Sequence, residues 1–78
     1  MRIPLDRSQP IPLYLQIEEF LRRAILDGVL PAESKVPATR TLAASLQVSR
    51  LTIENAYAEL TSKGLIRQRH GSGTYVCN

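Results

Sequence analysis

A chain of 78 residues, 44% of them hydrophobic and 22% charged, is one domain at most, and folding at this size removes only about 60% of the unfolded surface from water. Ten Lys and Arg against seven Asp and Glu give a formal charge of +3 at pH 7, a lean toward anionic partners that many solvated domains share. The single cysteine, Cys77, excludes an internal disulfide and a cysteine metal cluster, and no apolar run approaches the roughly 20 residues that cross a bilayer, so the expected protein is cytoplasmic, with no membrane partner.

Residues Met1 to Pro10 set Arg2, Asp6 and Arg7 among prolines without a period and read as an extended arm. Three roles are open to it: a plain tail, a strap across the domain, or an arm whose basic residues reach a nucleic-acid groove. The folded domain is expected over residues 11–78. From Pro12 to Asp27 the series Leu13, Ile17, Phe20, Leu21, Ala24, Ile25 makes one apolar stripe of a helix. Proline suits the first turn, where its missing N–H has no helical partner, and Gly28 can take the left-handed residue that ends the helix. Glu18 and Glu19 stand four residues before Arg22 and Arg23, which reads as a solvated charged face.

Val29 to Pro37 has no helical period and is a connector, with Lys35-Val36 as a minimal extended piece. The stretch Arg40 to Leu60 then carries two amphipathic patterns, Leu42, Ala43, Leu46 and Ile53, Ala56, Tyr57, Leu60. Thr39 is the better capping residue for the first of these helices, since Ala38 cannot cap. Between the helices Gln47-Val48-Ser49 supplies a polar turn, an apolar plug and a serine to cap the next helix, about residues 49–63, which stops at Gly64. This is a helix-turn-helix. The period then changes to two: Leu65 to Arg69 and Thr74 to Cys77 enclose His70-Gly71-Ser72-Gly73, a hairpin turn. Three helices followed by a hairpin make a mainly α fold with a small β wing, the winged helix-turn-helix. No apolar stripe is left over for a dimer, so the isolated domain is expected to be mostly monomeric.

One histidine, one cysteine and scattered carboxylates present no pair at catalytic or metal-ligand spacing, so no enzyme activity and no cofactor in this chain are expected. Binding to double-stranded DNA has a better basis. A helix fits the major groove, its N-terminal residues reach base edges, and its N-terminal dipole favours phosphate. Arg50 can fork onto guanine or pair with a phosphate. At about 100° per residue Leu51, Asn55 and Ala58 point away from the core stripe; Leu51 suits a thymine methyl and Asn55 an adenine, though both also fit ordinary surface positions. Glu54 repels phosphate unless it reads cytosine or points aside, and Tyr57, within the stripe, belongs to the core. Arg40 sits where a second helix touches phosphate. In the wing Arg67, Arg69 and His70 cluster near a tip, Gly71-Ser72, whose glycines permit close approach to a groove. Alternation places Arg67 and Arg69 on one face and Gln68 on the other.

With these residues in place, the chain resembles the DNA-binding domain of GntR-type bacterial transcription regulators from Pro12 to Val76. The resemblance is carried by Pro12-Leu13-Tyr14 with Gln16-Ile17, Gly28, Leu30-Pro31, Pro37 with Arg40 and Leu42-Ala43, Val48-Ser49-Arg50 with Thr52, Leu60 with Gly64, and His70-Gly71-Ser72-Gly73-Thr74-Tyr75-Val76. It implies operator contacts by Arg40, Ser49, Arg50, Thr52, His70 and Gly71. Ala56-Tyr57 and the ending Gly-Ser-Gly-Thr-Tyr-Val look most like the MocR-type branch, in which this domain precedes an aminotransferase-like domain that binds pyridoxal phosphate; a compact branch shares part of the pattern. The resemblance thus implies an N-terminal module separated from its effector domain, and a homodimeric whole protein. Gln47 and Glu33 stand where the family usually has glycine, at a cost on the order of 1 kcal/mol each if the turn is left-handed. Ala38 stands where a serine often caps. The rival reading is a winged helix that binds a protein or structured RNA.

Overall fold

The computed structural model describes residues 2–78, so that Met1 of the expected arm lies outside the described residues. Three helices, α1 (Leu13–Leu26), α2 (Thr39–Leu46) and α3 (Arg50–Ser62), precede an antiparallel hairpin of β1 (Ile66–Arg69) and β2 (Gly73–Val76). The register pairs Ile66 with Val76 and Arg69 with Gly73. Lys35 forms a single bridge to Tyr75, and the Val36 N–H donates to the Thr74 carbonyl at 2.9 Å, so the connector adds the expected third extended segment beside β2.

The core gathers one face of every element. Ile17 and Leu21 of α1, Leu42 and Ala43 of α2, and Ile53, Ala56, Tyr57 and Leu60 of α3 are buried together with Val36, Ile66 and Val76. Full burial of each large aliphatic side chain is worth about 1.5–3 kcal/mol. Val48 packs half-buried against this cluster between the two helices, the plug expected of it. Gly28 and Gly64, at φ +80° and +74°, end α1 and α3 as expected.

The structure chooses among the roles open to the arm and departs from the sequence reading at three other places. The arm is a strap: Ile3 is buried in the core, and Arg7 Nη2 donates to the carbonyls of Leu46 and Gln47 at 3.2 Å each, where α2 ends. Thr39 does not cap α2. The first helical bond runs from Leu42 N–H to the Ala38 carbonyl at 3.0 Å, so Ala38 holds the cap position without a side-chain acceptor and Thr39 is already helical. Glu18 is not solvated but buried; its carboxylate accepts from Lys63 Nζ at 2.7 Å and Arg22 Nε at 3.1 Å, tying α1 to the end of α3. Finally, the α1 stripe is only partly used. Phe20, Ala24 and Leu30 are half-buried beside exposed Val29, lining with neighbouring charges a shallow apolar depression of about 380 Å³. A spare apolar surface therefore exists, because Ile17 and Leu21 fill the small core while Phe20 and Leu30 pack only against its edge.

Candidate nucleic-acid interface

The entry to α3 is built by Ser49. Its backbone is extended, and its Oγ accepts the Thr52 N–H at 3.2 Å, a cap that fixes where the helix begins. Thr52 Oγ1 lies 3.0 Å from Ser49 Oγ. A hydroxyl has one donor and two acceptor sites, so with Thr52 as donor the Ser49 hydrogen stays free for an outside acceptor. Upstream, Gln47 takes φ +58°, the left-handed turn expected there, and the Arg7 guanidinium holds its carbonyl. The arm thus braces the turn that aims the helix.

The outer side of α3 is as expected: Arg50, Leu51, Asn55 and Ala58 are exposed, Leu51 at 63%, and Glu54 is exposed beside them. Tyr57 points inward. Its hydroxyl donates to the Pro37 carbonyl at 2.7 Å, and burial pushes its pKa up to about 12. Arg40 is exposed on α2, and among the described residues neither Arg40 nor Arg50 forms an ion pair or side-chain hydrogen bond. Both cations at the helix entries are therefore available to an anion. The first N–H groups of α2, lacking a side-chain cap, face the same way electrostatically.

The wing turns tightly. The Ser72 N–H donates to the Arg69 carbonyl at 3.0 Å, and Gly71, third in that turn, takes φ +76°, which a type II turn demands and glycine permits. His70, Gly71 and Ser72 are exposed at its tip. Gln68 and Thr74 share a groove of about 390 Å³ with Glu54, Ala58 and Thr61 of α3 and with Thr39, so the inner wing face looks along α3. Arg67 and Arg69 lie on the opposite face, as alternation predicts. Arg69 is not free. Its Nη2 donates to Glu33 Oε2 at 2.7 Å and its guanidinium lies 4.6 Å from the Tyr75 ring centroid, while Arg67 Nη2 is 3.9 Å from the same carboxylate oxygen. Such exposed pairs are worth about 0–1 kcal/mol.

Residues 13–76 match the family of bacterial regulatory proteins named gntR. The chain belongs to the gntR family. It is 44% identical over 73 residues to the uncharacterised regulator YisV of Bacillus subtilis, covering 94% of this chain and 15% of that protein. To the probable rhizopine catabolism regulatory protein MocR of Rhizobium meliloti it is 43% identical, covering 92% of this chain and 15% of the relative. The chain thus spans about a seventh of the length of these two relatives. Its fold matches that of the AraR DNA-binding domain in complex with its operator, with a TM-score of 0.81 and 32% identity, covering 99% of this chain and 93% of that one.

Sequence reasoning missed the contacts of Arg7 with the end of α2, of Glu18 with Lys63, and of Glu33 with Arg67 and Arg69. Glu33 carried a signal, a side chain where glycine was expected, but its partners lie in the wing. Arg7 and Glu18 carried none, because an exposed arm arginine and a charged helix face look alike whether or not they find a distant partner.

Proposed function

We propose that this chain binds double-stranded operator DNA, as the N-terminal domain of a transcription regulator. The capped entry of α3 enters the major groove, with Arg50 on guanine, Thr52, Leu51 and Asn55 at neighbouring bases, and Ser49 and Arg40 on phosphate. The wing tip, His70-Gly71-Ser72 with Arg69, meets the minor groove. The observation that carries this reading is the pair of arginines at the entries of α2 and α3, unpartnered among the described residues, one beside a capped and exposed first turn, in a fold shared with a domain bound to operator DNA. Its role is binding rather than catalysis, in the cytoplasm where chromosomal DNA lies.

The whole protein is of the MocR type, with pyridoxal phosphate in a following domain, and works as a homodimer. Identity to MocR and the ending of the wing support that branch. Two domains on two half-sites make the second contact intramolecular and raise avidity by about 10²–10⁴, so the isolated domain binds weakly and mostly as a monomer. Titration of labelled duplex at several salt concentrations tests the reading, using random sequence and a duplex selected by this domain. Binding that weakens steeply with salt and prefers the selected duplex supports it. A salt-resistant protein complex without duplex binding would replace it with the protein-interaction reading.

A further inference from the structure

Glu33 is held in a conformation that side chains rarely adopt, at φ +71°, and both of its flanks are anchored. Its N–H donates to the Val76 carbonyl at 2.9 Å, and the next residue accepts the Val76 N–H at 2.8 Å. The carboxylate is thereby fixed beside the outer face of the wing, where it meets Arg69 and Arg67. Among the described residues the arginines at the helix entries, Arg40 of α2 and Arg50 of α3, have no such partner. The molecule leaves free these two cations and holds those of the wing.

Resting on the DNA-binding reading, we propose that Glu33 is a brake on the wing: it draws Arg69, and with it Arg67, onto the outer face and withholds their charge from phosphate. A guanidinium that donates to a carboxylate oxygen at 2.7 Å and lies over the Tyr75 ring has its charge partly neutralised and fewer donors to offer the DNA backbone. Phosphate contact is the sequence-independent part of DNA affinity, so the brake lowers attraction to every duplex alike and leaves discrimination to α3. The carboxylate and the Arg69 side chain are 48% and 43% exposed, so the pair opens readily. It damps the wing without locking it.

The test compares the 78-residue chain with Glu33→Gln, which keeps the shape and the left-handed backbone but loses the charge, and with Glu33→Gly, which also relieves the backbone. Both are measured by fluorescence anisotropy on a random duplex and on a duplex selected by the parent chain. Both variants should bind the two duplexes more tightly by the same factor. For each arginine released that gain should be about threefold larger at 50 mM than at 200 mM salt, since each phosphate contact adds about 0.9 to the logarithmic salt slope. In an Arg67→Gln/Arg69→Gln background, Glu33→Gln should gain much less. If Glu33→Gln binds as the parent does, or more weakly, the brake is overturned, and weaker binding would make Glu33 a residue that presents Arg69 to DNA. An equal gain without the two arginines would also overturn it, by showing general repulsion of phosphate by the carboxylate. Absence of duplex binding by the parent chain at low salt overturns the DNA-binding reading itself, and the brake with it.

Discussion

Tyr57 is the side chain whose loss should cost this domain most, and its hydroxyl separates two parts of that cost. The ring is 8% exposed within the α3 face of the core, and the hydroxyl donates to the Pro37 carbonyl at 2.7 Å, pinning the start of α2 to α3. Tyr57→Phe removes only this bond. Pro37 is half-buried, so water can take over part of the carbonyl's demand, and the expected loss is about 1 kcal/mol. Tyr57→Ala also opens a cavity and should cost about 3–5 kcal/mol, against a total stability of roughly 4–12 kcal/mol for a domain of this length. The buried hydroxyl adds a pH signature. Its pKa is pushed up to about 12, above the value near 10 of an unfolded tyrosine. Between these values the unfolded chain has released a proton that the folded chain keeps, so this contribution is whole below pH 10 and is lost as pH rises toward 12. Urea denaturation followed by circular dichroism, at neutral pH and at two alkaline values, reads both effects. The parent should lose more stability at alkaline pH than Tyr57→Phe does. Equal stability of parent and Tyr57→Phe at neutral pH, with the same alkaline decline, would refute a buried hydroxyl bonded to Pro37.

Arg50→Ala should weaken binding to a selected duplex by about 1–3 kcal/mol and to random duplex by less, because base reading is lost together with a charge; equal losses in a paired titration would reassign Arg50 to phosphate. Glu18→Ala should destabilise by about 1–3 kcal/mol, the range for charge-assisted hydrogen bonds, since Lys63 and Arg22 lose their common acceptor but remain near water. A melting temperature unchanged by Glu18→Ala would show that the buried carboxylate is merely tolerated. Gln47→Gly should stabilise the fold by on the order of 1 kcal/mol, by removing a side chain from a left-handed residue. Denaturation showing a loss instead would mean that the Gln47 side chain, or the stiffness it lends the unfolded chain, outweighs the strain.

Much of this molecule is local, and the local part was legible. The periods of Leu42 to Leu46 and Ile53 to Leu60, the serine before Arg50, and the change to alternation after Gly64 each depend on neighbours within a few residues, and each falls where expected. The outward placement of Leu51, Asn55 and Ala58 follows from helix geometry alone. Thr39 failed as a cap because the phase of α2 is set by Leu42 and Ala43 seeking the core, a tertiary demand that outweighs the preference of one hydroxyl. Arg7, Glu18 and Glu33 hid their distant partners for a single reason. Those partners lie 34 to 45 residues away, and a charge gives no sign in sequence of which distant charge or carbonyl it will meet. For the same reason Arg69 looked like a free wing cation until the fold brought Glu33 beside it.

The strap formed by the arm has a consequence for the order in which the domain assembles. Ile3 and Arg7 leave the ribosome before α1, α2 and α3, yet their binding places do not exist until α2 and the turn at Gln47 have emerged about forty residues later. The strap is therefore made before the helices it ties but docks after them, and it closes one of the longest loops in the domain, a step whose entropic cost must be met before its contacts are gained. Until it docks, the turn at Gln47 lacks the guanidinium that holds its carbonyls, although α3 is already seated on the core by Ile53, Ala56, Tyr57 and Leu60. The last brace on the turn that leads into α3 thus comes from a residue made about forty positions earlier, after α3 itself has formed.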